Sequence, residues 1–264
     1  MPINSIDGYV AAAKQTINYV KTGTRTTIAT GWFSLFDLAG NPGAGVLAGT
    51  STPAGVVPTD ATAGSVPINA FGVGNIGYLS NVDFGSSVAS RLRLFDLLFK
   101  AGAYSFNANQ TLSAQPSFAS RVPNLNYSDC QIWLETVTAF TGNLNVTVTY
   151  TNQDGVTGRS TGAFVPGLTP TLGRMFQLPL AAGDTGVRTI ESVVSTTATA
   201  GTFNVLVLRP LWSGRVRLAN DGDTHGPLQT GMPVVFDNSC LFLAVAADST
   251  SSGVPELELT VANG

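Results

Sequence analysis

The clearest pattern in the chain is an alternation near its middle: Leu144, Val146, Val148 and Tyr150 are apolar, while Asn145, Thr147, Thr149 and Thr151 between them are polar. A period of two sends successive side chains to opposite faces, so this stretch is predicted to be a half-buried strand with one wet face. It runs into Asn152-Gln153-Asp154-Gly155, a turn signal that predicts a hairpin returning through residues 156–161. Further short strands are predicted at 131–140, 174–180, 187–194, 202–208, 215–218, 233–236, 241–247 and 256–261, separated by Gly, Pro and Asp turns. Strands of this length and spacing indicate a mainly β fold of the β-sandwich or jelly-roll kind. Residues 203–208 and 241–245 are apolar on both faces, so each belongs at the centre of the sandwich or beneath a cover.

Two earlier stretches follow a different period. Ile6, Tyr9, Val10, Ala13, Ile17 and Val20 recur at spacings of three and four, predicting an N-terminal helix over 5–21. Ser5 can cap it, Asp7 lies in its first turn, Lys21 in its last, and Gly23 follows as a stop. Val88, Leu92, Phe95 and Phe99 predict a second helix over 87–100, with Arg91, Arg93 and Asp96 as its polar side and Gly102 closing it.

Between them the pattern disappears. Over residues 38–82 nine glycines and four prolines interrupt any period, and Asp60 is the one charged residue. Disorder normally comes with charge and few aromatics, whereas this segment scatters Val46, Val56, Val57, Ile68, Phe71 and Tyr78. An extended arm lying on another surface is the expectation, dispensable for the folding of the β-domain itself. The chain thus divides into an N-terminal helix and lead-in strand (1–37), the arm (38–82), a helix with its connector (83–126) and a β-sandwich domain (127–264). Arm residues Val56, Val57, Ile68, Phe71 and Tyr78, with Trp32, Phe33 and Phe36 just before it, are the expected interface positions.

Composition sharpens this expectation. Of 264 residues 44% are hydrophobic and only 11% charged, against roughly 25% charged in an ordinary soluble domain. Surfaces buried between subunits are depleted of Asp, Glu and Lys, so large permanent contacts are favoured. The formal charge is −3 with no basic run, which argues against direct binding of nucleic acid. No apolar run approaches the roughly 20 residues that span a bilayer, and the N-terminus lacks the unbroken apolar core of a secretory signal, so synthesis in the cytoplasm and no membrane insertion are expected. Cys130 and Cys240 are too few for a disulfide framework and read as two small buried hydrophobes, although one bridge between them stays open.

Candidate chemistry is sparse. The one histidine lies in Asp221-Gly222-Asp223-Thr224-His225, where Asp221, Asp223 and His225 form a weak metal-ligand pattern, but Asn220-Asp221-Gly222 is itself turn chemistry. The formal G-x-G-x-x-G at 72–77 lacks the strand before and helix after it that a dinucleotide site requires. Glu256 and Glu258 share a strand face, the commoner meaning of which is a solvated edge rather than a glycosidase pair. No cofactor and no catalytic residue are assigned, and the chain is expected not to be an enzyme.

The stretch Gly31-Trp32-Phe33-Ser34-Leu35-Phe36-Asp37-Leu38-Ala39-Gly40-Asn41-Pro42-Gly43-Ala44-Gly45, followed by a Gly/Ala/Thr arm and a Thr-rich β region, resembles structural proteins of tailed-bacteriophage virions. That resemblance implies a capsid decoration or cement protein on the surface of an icosahedral head, assembled in the host cytoplasm. Its implied partners are copies of itself, with a trimer favoured, and the major capsid protein. A major capsid or tail-tube subunit, or a receptor- or glycan-binding β-sandwich module, are the alternatives.

Overall fold

The structure is a computed structural model that describes residues 3, 5–50, 53–166, 170–196 and 200–264. In chain order the described strands begin with β1 Lys14–Lys21, β2 Phe33–Ser34, β3 Gly40–Asn41, β4 Gly77–Ser86, β5 Ser90–Ser105, β6 Asn109–Thr111, β7 Gln131–Thr141 and β8 Asn145–Asn152. They continue with β9 Arg159–Ser160, β10 Met175–Gln177, β11 Val187–Thr196, β12 Ala200–Val216, β13 Asp221–His225, β14 Val234–Val235, β15 Leu241–Ala247 and β16 Pro255–Asn263. Among the described residues, two short helices, α1 Ile6–Ala11 and α2 Pro227–Thr230, complete the regular elements with two 3-10 turns between β6 and β7. The fold is mainly β, as the alternation predicts.

Three antiparallel sheets organise it. The central sheet runs β10-β7-β12-β5-β15-β2, and its long strands β5 and β12 pair over nearly their whole length. A second sheet runs β13-β4-β16-β1-β3 with β14 also on β4, and a third runs β6-β11-β8-β9. Phe203, Val205 and Val207 of β12 pack with Val146, Val148, Tyr150 and Ile190 of the third sheet. Farther along the same face, Leu94 and Trp212 pack with Phe84, Leu257 and Leu259 of the second. The second and third sheets therefore lie side by side on one face of the central sheet. On the opposite face Leu206, Leu208, Phe95, Leu97 and Phe242 join Phe36 and Trp133 in a separate cluster.

At the seam between the two sandwiches sits a buried charge. Asp96 has no solvent exposure; it accepts from Arg209 at 3.1 Å, from Ser239 Oγ at 2.8 Å and from the Cys240 N–H at 3.1 Å, with Arg121 3.6 Å away. Strand spacing explains the position, since Asp96 shares the face of Leu94 and lies opposite Arg209 in register.

Neither predicted helix survives as drawn. Helix α1 stops at Ala11, and Lys14–Lys21 is strand β1, with Ile17, Tyr19 and Lys21 inward. Thr16, Ile17 and Val20 favour a strand, and β16 supplies the partner from Lys14↔Ala262 to Val20↔Glu256. Residues 90–105 are likewise strand β5 and not a helix. Its middle is buried on both faces between β12 and β15, and an apolar run of that kind cannot be separated from a helix by periodicity. Arg209-Pro210-Leu211-Trp212 continues β12 through a bulge beyond the end of β7, where a proline removes no ladder bond on that side.

The charge-poor segment also lies differently from expectation. It is folded on the chain's own body, and its backbone is held by polar side chains of that body. Lys21, fully buried, donates through Nζ to the carbonyls of Leu38 (3.0 Å), Pro42 (2.9 Å) and Gly43 (3.5 Å). Lys100 Nζ donates to Val46 (2.8 Å). Asn204 donates to the Leu47 carbonyl (2.6 Å) and accepts from the Gly49 N–H (2.8 Å), and Arg121 donates to Pro58 (2.6 Å). Where β15 ends, the edge of β5 is completed by Val56, which exchanges both backbone bonds with Lys100, and by Thr50, which accepts from Gly102. An open edge of this length is a template for aggregation, and the segment covers it.

Candidate assembly surface

Four of the expected interface positions belong to the chain's own core. Phe33 and Phe36 are buried at 0% and 1% exposure, and Ile68 and Phe71 are buried against the second sheet. The reason is the anchoring just described: once the backbone of residues 38–50 and 53–58 is held down, the apolar side chains beside it close over the sheets instead of waiting for a neighbour. Val57 and Tyr78 are half-buried, Trp32 is half-buried beneath two arginines, and Val56 is exposed. Helix α1 does present an uncovered apolar stripe, with Ile6 and Val10 one turn apart and 81% and 69% exposed.

Two clusters of like charge lie on the outside. On the outer face of the second sheet a groove of about 800 Å³ is lined by Asp83, Asp221, Asp223, Glu256 and Glu258, with no lysine or arginine among its lining residues. Glu258 pairs directly with Asp83 across β16 and β4. Asp83 is partly relieved by the Thr224 hydroxyl, which donates to it, and more weakly by Asn81 at 3.4 Å. Around the corner of β13, a second groove of about 390 Å³ is lined by Arg91, Arg93, Arg215 and Arg217 with Trp32, Asp223 and His225. Arg215 stands directly opposite Arg91 in the β12–β5 register. Trp32 lies 4.6 Å from the Arg93 guanidinium and 5.7 Å from that of Arg91, measured to the ring centre. Burial, and after it the charge of Arg91, lowers the pKa of Arg93.

The weak metal pattern dissolves in this geometry. Asp221, Asp223 and His225 lie along edge strand β13, but His225 Nδ1 accepts from the Trp212 indole N–H at 3.0 Å, and its ring stands edge-on to Phe84. Among the described residues no group of three His, Cys, Asp or Glu is close enough to hold an ion. The expected turn at 220–222 lies slightly earlier: Asn220 adopts φ 57° and Asp221 already begins β13. The glycines at 72 and 74 take positive φ in a turn, and a Cβ at Gly77 would meet the Phe71 ring at 2.3 Å, so that motif serves packing. Glu256 and Glu258 point outward between buried Leu257 and Leu259, as their alternation predicts. Both cysteines are free and buried, and burial pushes each thiol up to about 12. Sequence reasoning missed the arginine groove because its residues come from β5 and β12 and meet only through pairing; the i, i+2 spacing of Arg91 with Arg93 and Arg215 with Arg217 was its one visible trace.

No family model matches the chain, and no curated protein matches it. Among solved structures it is similar to T=1 particles derived from infectious bursal virus, at 10% identity over 96% of this chain and 77% of that one, with a TM-score of 0.20. It is similar also to a mutant VP2 protein of infectious bursal disease virus in derived T=1 particles (11% identity, 96% and 77% covered, TM-score 0.18). The Gx strain of the same virus gives 9% identity, 95% and 80% coverage and a TM-score of 0.17. At these scores the likeness falls short of a shared fold.

Proposed function

We propose that the chain is a virion structural protein, a capsid decoration or cement subunit that works by packing against copies of itself and the major capsid protein, without catalysis. The observation that carries the reading is where its few charges go. Lys21, Arg25, Asp96, Lys100, Arg121, Glu135 and Arg209 are buried. Five of the exposed or half-buried acids and four of the arginines line the two grooves. Much of the remaining surface is then uncharged Thr, Ser, Ala and Gly, with Ile6, Val10, Val46, Leu218 and Leu228 well exposed. A free monomer keeps charge on its skin, whereas a subunit of a permanent assembly hides such a surface across contacts of roughly 2,000 Å² or more.

The mechanism on this reading is mechanical: added contacts between subunits resist outward pressure on a shell. Mass spectrometry of purified particles tests it. A decoration subunit is expected in a fixed ratio to the major shell protein and can be stripped while the shell persists. A major capsid or tail-tube subunit would be present at the copy number of the shell or tube itself, and absence from every particle would end the virion reading. The half-buried Trp32, stacked on arginines at a groove, favours a second reading as a glycan-binding module, which saccharide binding lost in Trp32→Ala would support.

A further inference from the structure

Each groove holds an arrangement that is unfavourable within one chain. Like charges directly opposite across a strand pair repel, and both grooves contain such a pair: Arg215 faces Arg91, and Glu258 faces Asp83. The counter-charges within the chain do not cancel them. Asp248 reaches Arg215 only at 3.9 Å, Asp223 sits on β13 between the two grooves, and Arg91 spends a donor on the Thr30 carbonyl at 3.1 Å. His225, also on that rim, has its Nδ1 taken by Trp212. Of the eight lysines and arginines that are not buried, four line one groove, while the acidic groove has none.

We infer that the arginine groove of Arg91, Arg93, Arg215 and Arg217 and the acidic sheet face of Asp83, Glu256 and Glu258 are the two halves of one contact between copies of this chain. The occupant follows from charge complementarity, since the chain carries a cluster of each sign, each only partly compensated at home. The two grooves flank the same edge strand β13, whose short length and acidic side chains discourage plain strand addition and leave side-chain pairing as the mode of contact. Bidentate arginine–carboxylate geometry gives such a contact its register as well as its attraction. This inference rests on the assembly reading above and names the surfaces that reading would use.

Charge reversal in two separate proteins tests it. Arg215→Glu with Arg217→Glu leaves the arginine groove two arginines against two new glutamates; Glu256→Lys with Glu258→Lys leaves the acidic groove two new lysines against three aspartates, so each variant keeps only one of the two surfaces intact. All four side chains are exposed, so both variants are expected to keep the parent's circular dichroism and melting temperature, the control for folding. In sedimentation at low salt the parent is expected to associate, each variant alone to weaken association at least about tenfold, and an equimolar mixture of the two to restore it. For the parent, raising salt from about 0.05 M to about 1 M, where the screening length falls to about 3 Å, is expected to weaken association. If the parent associates and both variants associate equally well, the proposed contact is wrong while the assembly reading stands. A parent that stays monomeric at every salt and concentration removes both. A rise in a monomeric parent's melting temperature with inorganic phosphate or sulfate that is absent in the Arg215→Glu, Arg217→Glu variant would make the arginine groove an anion site and overturn the contact.

Discussion

Residues 144–161 and residues 38–50 and 53–58 all lie against the central sheet, yet the two regions are held in opposite ways. In the first, the chain supplies its own partners: β8 alternates inward Val146, Val148 and Tyr150 with outward polar residues, pairs with β11 and β9, and turns on Asn152, whose Oδ1 accepts from the N–H groups of Asp154 and Val156. In the second, few strand bonds form, and the backbone is satisfied by Lys21, Lys100, Arg121 and Asn204 from elsewhere. A buried backbone carbonyl must find a donor. A local turn supplies one in the first region; a lysine or arginine remote in sequence supplies it in the second. Low charge in residues 38–58 therefore marks an acceptor surface for other residues' charges.

The largest expected effect comes from removing the remotely held segment. Deleting residues 40–81 takes away the first half of β4, the cover on the β5 edge, two of the three carbonyls that accept from Lys21, and the acceptors of Lys100 and Asn204 in the segment. Loss of cooperative unfolding and aggregation on expression are expected, the reverse of a dispensable arm. A soluble deletion product with an unfolding transition like the parent's would show that the segment is an accessory after all.

A smaller, sharper break is Asp96→Ala. It leaves Arg209 and Arg121 at the seam without their carboxylate, and Ser239 and the Cys240 N–H without an acceptor. Loss of about 3–5 kcal/mol is expected in denaturant unfolding, because one partner of a buried ion pair is removed and the other stays. A change below about 1 kcal/mol would mean that the seam is wetter than its burial indicates.

The same comparison explains what could be seen in the sequence. Strands β7, β8, β11, β15 and β16 are legible because inner and outer residues alternate, or because an apolar run is bounded by turns. Strand β5 is misread because Leu92, Phe95 and Phe99 happen to match a helical stripe while both faces of the strand are buried by tertiary neighbours. Lys21 looks like a helix C-terminal cation and is instead a buried donor to three carbonyls, a role set by residues seventeen to twenty-two positions away. The aromatic residues before the arm look in sequence like groups waiting for a partner, and Phe33 and Phe36 have theirs within the chain. Of the candidate surface, Glu256 and Glu258 were visible as one face, but their pairing with Asp83 and the opposing arginine groove depend on strand order, which no local signal encodes.

The finest test concerns the locally held region. Asp184 fastens the hairpin: its carboxylate accepts from Arg159 Nε (2.8 Å), Asn152 Nδ2 (2.8 Å) and the Tyr150 hydroxyl (2.7 Å), and only 3% of its side chain is exposed. The Arg159 hydrogen bond is the main cause that lowers its pKa from 3.8 to about 2; burial opposes this, and Asn152 and Tyr150 add to the lowering. Its folded-state pKa thus lies below the unfolded one, so the stability it contributes is present above about pH 4 and is lost as pH falls through about 2. Asp184→Asn is expected to cost about 1.5–3 kcal/mol at neutral pH, the range for hydrogen bonds to a charged group. The difference from the parent should shrink steadily in urea titrations between about pH 4 and about pH 2. A gap that stays constant with pH would mean that shape and not charge holds the hairpin.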